Sequence, residues 1–161
     1  MTADSQLVKE AVERFRQGDN CAQAVAATLA AREGVDPAAA ERGAAMFGGG
    51  VARTRQLCGA VAGMLMAAGW HYACPPTGDA AADAAQKQKL YAKGRAMMEE
   101  FARRNGSVVC AELLKGAGDE KAAHDTDPRP EMRSSAYYRK RPCIECVACA
   151  VAIWEEFVDN D

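Results

Sequence analysis

The chain has 161 residues, which is the size of one domain with a single hydrophobic core. Apolar residues make up 49% of it, but aromatic residues only 6%, and alanine dominates the apolar fraction, which favours closely packed helices over a β-sheet. The net charge of -2, with both signs interspersed, argues against the broad basic surface that nucleic-acid binding requires. We therefore expect an all-α protein, a compact bundle of about six to seven helices in one cysteine-rich domain over residues 1–161.

The first half of the chain predicts four helices. Their ranges are 4–17, 20–32 and 36–47, followed by a helix that contains Cys58 and stops before Pro75. Asn20 with Gln23 has the spacing of a capping box, and Pro37 occupies a favoured first helical position. Thr54 is the expected cap of the fourth helix.

The second half predicts three further helices. A long one covers residues 79–104, Ser107 caps a short one in SVVCAELLKG, and the last opens at Pro142 and ends near Asp159. The polar, proline-bearing stretch 117–141 is predicted to be a loop.

The N-terminal segment lacks the apolar run of a signal peptide, so we expect a cytoplasmic protein. Residues 57–70 are uncharged, and Gly59 and Gly63 within them have the spacing of membrane helix dimers. This run is shorter than the roughly 20 residues needed to cross a bilayer. We interpret it as a buried helix, with no membrane span, whose glycines let the helix that starts at Cys21 approach closely.

Seven cysteines are too many to treat as ordinary apolar residues. They are Cys21, Cys58, Cys74, Cys110, Cys143, Cys146 and Cys149. In a reducing compartment this usage favours metal binding or thiol chemistry, and the alternative is that free cysteines simply fill the core. The predicted boundaries put Cys21, Cys58, Cys110 and Cys143 at helix N-termini, where the helix dipole stabilises a thiolate. Arg139, Lys140 and Arg141 precede Cys143 and could also lower its pKa.

The cysteine motifs resemble those of a known family. The run FGGG, the sequence Cys58-Gly59-Ala60-x-x-Gly63 and the element Asn20-Cys21-Ala22-Gln23-Ala24-Val25 are similar to the C_GCAxxG_C_C family, which is named for four cysteines and a CGAxxG motif. The motifs carry over directly onto Cys21 and Cys58, whereas Cys110 and Cys143 match by order and helical setting. Ala52 and Arg55 stand where members commonly have more glycine. The resemblance covers most of the chain and implies a redox role for these cysteines, but it names no substrate.

Four thiolates in one site would repel one another, so they must share protons, form disulfides or neutralise a cation. One mechanism is thiol–disulfide exchange with a redox partner protein or a small thiol, in which Cys21 and Cys58 attack and resolve in an unassigned order. In the other, Cys21, Cys58, Cys110 and Cys143 bind Zn or an iron–sulfur cluster. A helical scaffold with inert cysteines is a third interpretation, and a homo-oligomer stays open.

The terminal triplet of cysteines lies on one predicted helix. Cys143, Cys146 and Cys149 would climb about 9 Å along it and spread over about 120°, too far for all three to bind one ion. Cys143 and Cys146 could form a dithiol in the first turn, and we expect Cys149 to be a core residue.

Overall fold

The computed structural model describes residues 5–161, so the predicted start of the first helix at residue 4 lies outside the described part. Nine α-helices and no strand occur in that part, and seven of the helices have seven or more residues, which confirms the all-α fold. They are α1 (Gln6–Arg16), α2 (Cys21–Ala30), α3 (Pro37–Ala44), α4 (Gly59–Tyr72), α5 (Ala80–Asn105), α6 (Cys110–Gly116), α7 (Glu120–His124), α8 (Ser135–Lys140) and α9 (Cys143–Asp159). Short 3-10 turns extend α2 and α3.

Most helix ends follow the local signals in the sequence. The Asn20 side chain accepts from the Gln23 N–H, and the Gln23 side chain accepts from the Asn20 N–H, so the predicted capping box is formed. Asp36 caps α3, with Pro37 in the first position. Gly106 ends α5 in the left-handed conformation that glycine adopts without steric cost.

Two predicted caps are wrong. Val109 is the cap of α6, and the Ser107 hydroxyl instead accepts from the N–H of Val109, at 2.9 Å. Cys58, not Thr54, is the cap of α4, and the Thr54 hydroxyl donates to the carbonyl of Val51, at 2.7 Å. Both helices start later than predicted because the segments before α4 and α6 form a short antiparallel backbone pairing. Local sequence signals do not reveal this pairing. In it the Cys58 N–H donates to the Val108 carbonyl, at 2.8 Å, and the Cys110 N–H donates to the Gln56 carbonyl, at 2.6 Å.

The prediction that the stretch 117–141 is a loop is wrong in part, because this stretch contains α7 and α8. Each of these short helices begins with a side-chain cap. The Asp119 carboxylate accepts from the Ala122 N–H, and the Ser134 hydroxyl accepts from the Tyr137 N–H. Local capping therefore offsets a polar composition that favours a loop.

The core lies between α1, α2, α4, α5 and α9. Its largest fully buried side chains are Trp154 on α9, Phe15 on α1 and Phe101 on α5. α2 is almost entirely buried, because its small residues leave room for α4 on one side and α9 on another. None of the helices in residues 5–161 has both the length and the apolar character that a membrane span requires.

The expected close approach of α2 and α4 at the two glycines is present. A Cβ atom at position 63 would lie 2.8 Å from the Ala22 carbonyl oxygen and 2.9 Å from the Val25 Cβ. A Cβ atom at position 59 would lie 3.1 Å from the Cys21 Cβ. Only glycine allows the two backbones to come this close, and the contact sets Cys21 beside the start of α4.

Gly63→Ala should destabilise the protein, whereas Gly69→Ala in the same helix should not. The added methyl group at position 63 must displace the backbone of α2, at a cost of about 1–3 kcal/mol. Position 69 has no neighbouring atom within 4 Å, so alanine there gains helix propensity of about 0.5–1 kcal/mol. Urea unfolding followed by circular dichroism measures both changes. Equal stabilities for the two variants would contradict the close helix contact.

Candidate functional site

Five cysteines line one cavity of about 390 Å³ at the N-terminal ends of four helices. Cys21, Cys110 and Cys143 are the first residues of α2, α6 and α9, and Cys58 is the cap of α4. Cys146 follows one turn further along α9. The four cysteines singled out from the sequence are therefore brought together, and Gly59 lines the same cavity.

Four of the thiols interact as two pairs across helices. Cys21 on α2 interacts with Cys143, and Cys58 before α4 interacts with Cys146. The hydrogen-bonded partner of Cys21 is thus on α9 and is not Cys58. Likewise, Cys143 and Cys146 each pair with a cysteine of another element rather than with each other. All of these cysteines are free thiols.

In the outer, half-buried pair, Cys143 is the sulfur favoured as the thiolate. The hydrogen bond with Cys21 lowers the pKa of Cys143, and the charges of Arg141 and Arg133 lower it further, while burial acts in the opposite direction. The same hydrogen bond, together with burial, raises the pKa of Cys21. Within this pair, Cys143 therefore loses its proton before Cys21 does.

In the inner pair, Cys58 is the sulfur favoured as the thiolate. The hydrogen bond with Cys146 lowers the pKa of Cys58 most, and the backbone N–H groups of Val61 and Ala60 in the first turn of α4 lower it further against the effect of burial. The pKa of Cys146 is raised, because it shares the proton with Cys58 and is itself buried. Because Cys58 lies at the N-terminus of α4, as predicted, backbone N–H groups of this helix help to lower its pKa.

Cys110 differs from the other four cavity cysteines because its sulfur contacts an arginine and not another cysteine. The Arg55 guanidinium donates through Nη1 to the Cys110 sulfur, at 3.9 Å. Burial raises the pKa of Cys110, and Arg55 offsets this only in part. Cys110 is therefore expected to be a neutral thiol at pH 7.

Cys74 and Cys149 lie outside the cavity. Cys74 is exposed just after α4. Cys149 is half-buried at the edge of the core, where the Asn105 side chain donates to its sulfur, at 3.2 Å. Because α9 is continuous, the third cysteine of the terminal triplet points away from the first two.

The cavity wall includes three arginines that the sequence did not indicate for the site, namely Arg53, Arg55 and Arg133. Arg133 crosses to the end of α1 and donates to the carbonyl oxygens of Phe15 and Asp19. Arg55 ends a loop in which most residues from 49 to 55 have positive φ. Arg141 lines the cavity as its position before Cys143 suggested, whereas Arg139 is exposed. Only long-range packing brings Arg133 here, so no local sequence pattern could have revealed it.

A metal site would require several of the cysteine sulfurs to converge on one point. Within the described residues, no group of three or more histidine, cysteine, aspartate or glutamate side chains is arranged to hold a metal ion. Four of the cavity cysteines instead form two pairs, and the fifth, Cys110, contacts Arg55. Binding of Zn or an iron–sulfur cluster by Cys21, Cys58, Cys110 and Cys143 stays a prediction.

The protein is thus all-helical, with five cysteines around one cavity, and in each of two pairs the pKa of one thiol depends on the other. The chain belongs to the family described as "Putative redox-active protein (C_GCAxxG_C_C)", whose sequence profile matches residues 19–157. This confirms the resemblance seen in the motifs, and the family description indicates redox activity without naming a substrate. Comparison with curated proteins found no match, and comparison with solved structures found none either.

Cys21→Ala should raise the pKa of Cys143, because the thiolate loses the hydrogen bond that contributes most to its stability. Alkylation of Cys143 by iodoacetamide at pH 7 should therefore slow, and its pH profile should move to higher pH. Cys21→Ser is the matched control, since its hydroxyl can still donate. Peptide mapping by mass spectrometry across a pH series measures both variants. The same profile for wild type and Cys21→Ala would contradict the assigned pairing.

Proposed function

We propose that this protein carries out thiol–disulfide exchange with Cys143 as the attacking sulfur and Cys21 as the resolving one. The observation that supports this is the pair of half-buried thiols in one cavity, in which the pKa of Cys143 is lowered and that of Cys21 is raised. A nucleophile of this kind needs both thiolate character and access to the substrate. Arg141 and Arg133 supply positive charge beside it.

The exchange proceeds in two steps, formation of a mixed disulfide and its resolution. The Cys143 thiolate attacks one sulfur of a substrate disulfide, forms a mixed disulfide and releases one substrate thiolate, which takes a proton from water. Cys21 then gives up its proton and attacks the Cys143 sulfur. This forms the Cys21–Cys143 disulfide and releases the second substrate thiol. The protein is oxidised by two electrons, and the substrate disulfide is reduced to two thiols.

The inner pair gives the protein a second dithiol. Cys58 and Cys146 are buried, so a bulky substrate would not reach them directly. The charge of Cys58 acts on Cys143, so the two pairs lie near one another. We infer that Cys58 attacks the Cys143 sulfur of the outer disulfide and that Cys146 resolves the product. This step returns the outer pair to dithiol form and leaves a Cys58–Cys146 disulfide. Two molecules of a small thiol, which the cavity can admit, then reduce that disulfide and leave as their own disulfide.

Mild oxidation of the anaerobically purified protein should form two disulfides, Cys21–Cys143 and Cys58–Cys146. Dithiothreitol should reduce both disulfides again, and peptide mapping by mass spectrometry identifies the linked cysteines.

Cys143→Ser should abolish reduction of a small disulfide, because it removes the attacking sulfur. Cys74→Ser, which removes an exposed thiol outside the cavity, should react like wild type.

Metal and free-thiol analysis of the same anaerobic sample separates the alternatives. Stoichiometric metal that disappears in Cys21→Ser and Cys58→Ser would replace the exchange mechanism with a metal or cluster function. Uniformly slow alkylation of all five cavity cysteines, with no reversible loss of thiols on oxidation, would leave an inert helical scaffold.

A further inference from the structure

Arg55 is a buried cation with an unused hydrogen-bond donor. Only 5% of its surface is exposed, its Nε donates to the Asp125 carbonyl oxygen at 2.9 Å, and Nη1 reaches the sulfur of Cys110. Nη2 is buried and has no hydrogen-bond partner. No carboxylate in residues 5–161 lies within ion-pair distance of Arg55. An arginine stays charged in proteins, and a buried charge without a counter-ion is costly, so an anion that reached Arg55 would be stabilised there.

The other arginines on the cavity wall are already engaged. Arg53 pairs with Asp125, Arg141 pairs with Asp119 and Glu131, and Arg133 donates to the carbonyl oxygens of Phe15 and Asp19. Glu131 is the one carboxylate among the residues found on the wall, and it belongs to Arg141. Because burial keeps Cys110 protonated, its sulfur does not supply the missing negative charge. Among the arginines of the cavity wall, only Arg55 has both no carboxylate partner and a buried nitrogen without a hydrogen bond.

The loop that carries Arg55 is strained, which is a second and independent feature. Val51, Ala52, Arg53 and Arg55 all have φ between 50° and 67°, in the left-handed region. Residues other than glycine rarely adopt this conformation, because the Cβ atom then lies too close to the following carbonyl oxygen. Strain of this kind clusters at ligand sites, where the surrounding structure enforces it. Here Gly50 brings the loop against Cys110, since a Cβ atom at position 50 would lie 2.6 Å from the Cys110 Cβ.

We propose that Arg55 binds the carboxylate of a small anionic disulfide or thiol and so holds the substrate sulfur in the cavity with the cysteine pairs. This rests on the proposed exchange function and names its substrate class. The planar guanidinium matches a carboxylate, and a cavity of about 390 Å³ has the size of a small-molecule site rather than of a protein docking surface. With dithiodipropionate as substrate, the protein dithiol becomes a disulfide and two mercaptopropionate molecules leave.

Binding can be measured without any thiol reaction. Thiodipropionate, a thioether with two carboxylates, cannot be reduced, and thiodiethanol is its uncharged counterpart. In calorimetric titration of the reduced protein, thiodipropionate should bind and thiodiethanol should bind far more weakly. Arg55→Gln should weaken thiodipropionate binding by about 10- to 100-fold, the range for a lost hydrogen bond to a charged group. Arg139→Gln removes the same charge from an exposed position outside the cavity and should bind like wild type.

Kinetics then connect the anion site to the exchange reaction. Wild type should be oxidised faster by dithiodipropionate than by bis(hydroxyethyl) disulfide, and Arg55→Gln should lower the ratio of the two rates about tenfold or more. Equal rates for the two disulfides in wild type, with equally weak binding of the two thioethers, would overturn the anion site and leave the exchange function intact. Selective thiodipropionate binding with no oxidation by either disulfide would instead overturn the exchange function. The wild-type comparisons decide this even if Arg55→Gln does not fold.

Discussion

The close contact between α2 and α4 is the constraint on which the cysteine cavity depends. Gly63 lets the α4 backbone meet the α2 backbone at Ala22, and Gly59 does the same beside Cys21. α9 packs on both helices, and this arrangement brings Cys143 and Cys146 to the cysteines at the starts of α2 and α4. A side chain at either glycine would move one thiol of a pair relative to the other, so the chemistry and the core share the same contact.

Repulsion between like charges explains why the thiols form pairs. Two adjacent sulfurs cannot both ionise in a buried site, but one can when the other donates a hydrogen bond to it. Cys143 and Cys58 are favoured as the thiolates because each has a further source of support. Cys143 has the charges of Arg141 and Arg133, and Cys58 has the backbone N–H groups of the first turn of α4. Each pair can therefore lose one proton without placing charges on two adjacent sulfurs, which four thiolates in this space could not avoid.

The sequence was sufficient for features that local chemistry controls. The capping box at Asn20, which places Cys21 at the start of α2, and the start of α3 at Pro37 follow from short-range signals. The starts of α4 and α6, beside Cys58 and Cys110, depend instead on the pairing of the segments before them. The pairing of the thiols was not predictable in this way, because it depends on how α9 packs against helices distant in the sequence. The left-handed loop was also missed, because residues such as Val51 rarely adopt positive φ. Its glycines indicated a turn but not the conformation of the residues after them.

The arginines around the cavity act on different atoms, which makes substrate anchoring compatible with nucleophile activation. Arg141 and Arg133 lower the pKa of Cys143, whereas the effect of Arg55 falls on Cys110. A carboxylate bound to Arg55 would neutralise the charge beside Cys110 and leave the support of the attacking thiolate in place. If one arginine had to perform both tasks, each arriving anion would raise the pKa of the nucleophile just when the thiolate was needed. In our proposal the strained loop holds Arg55 apart from Arg141 and Arg133, so that an anionic substrate does not inactivate the thiolate that attacks it.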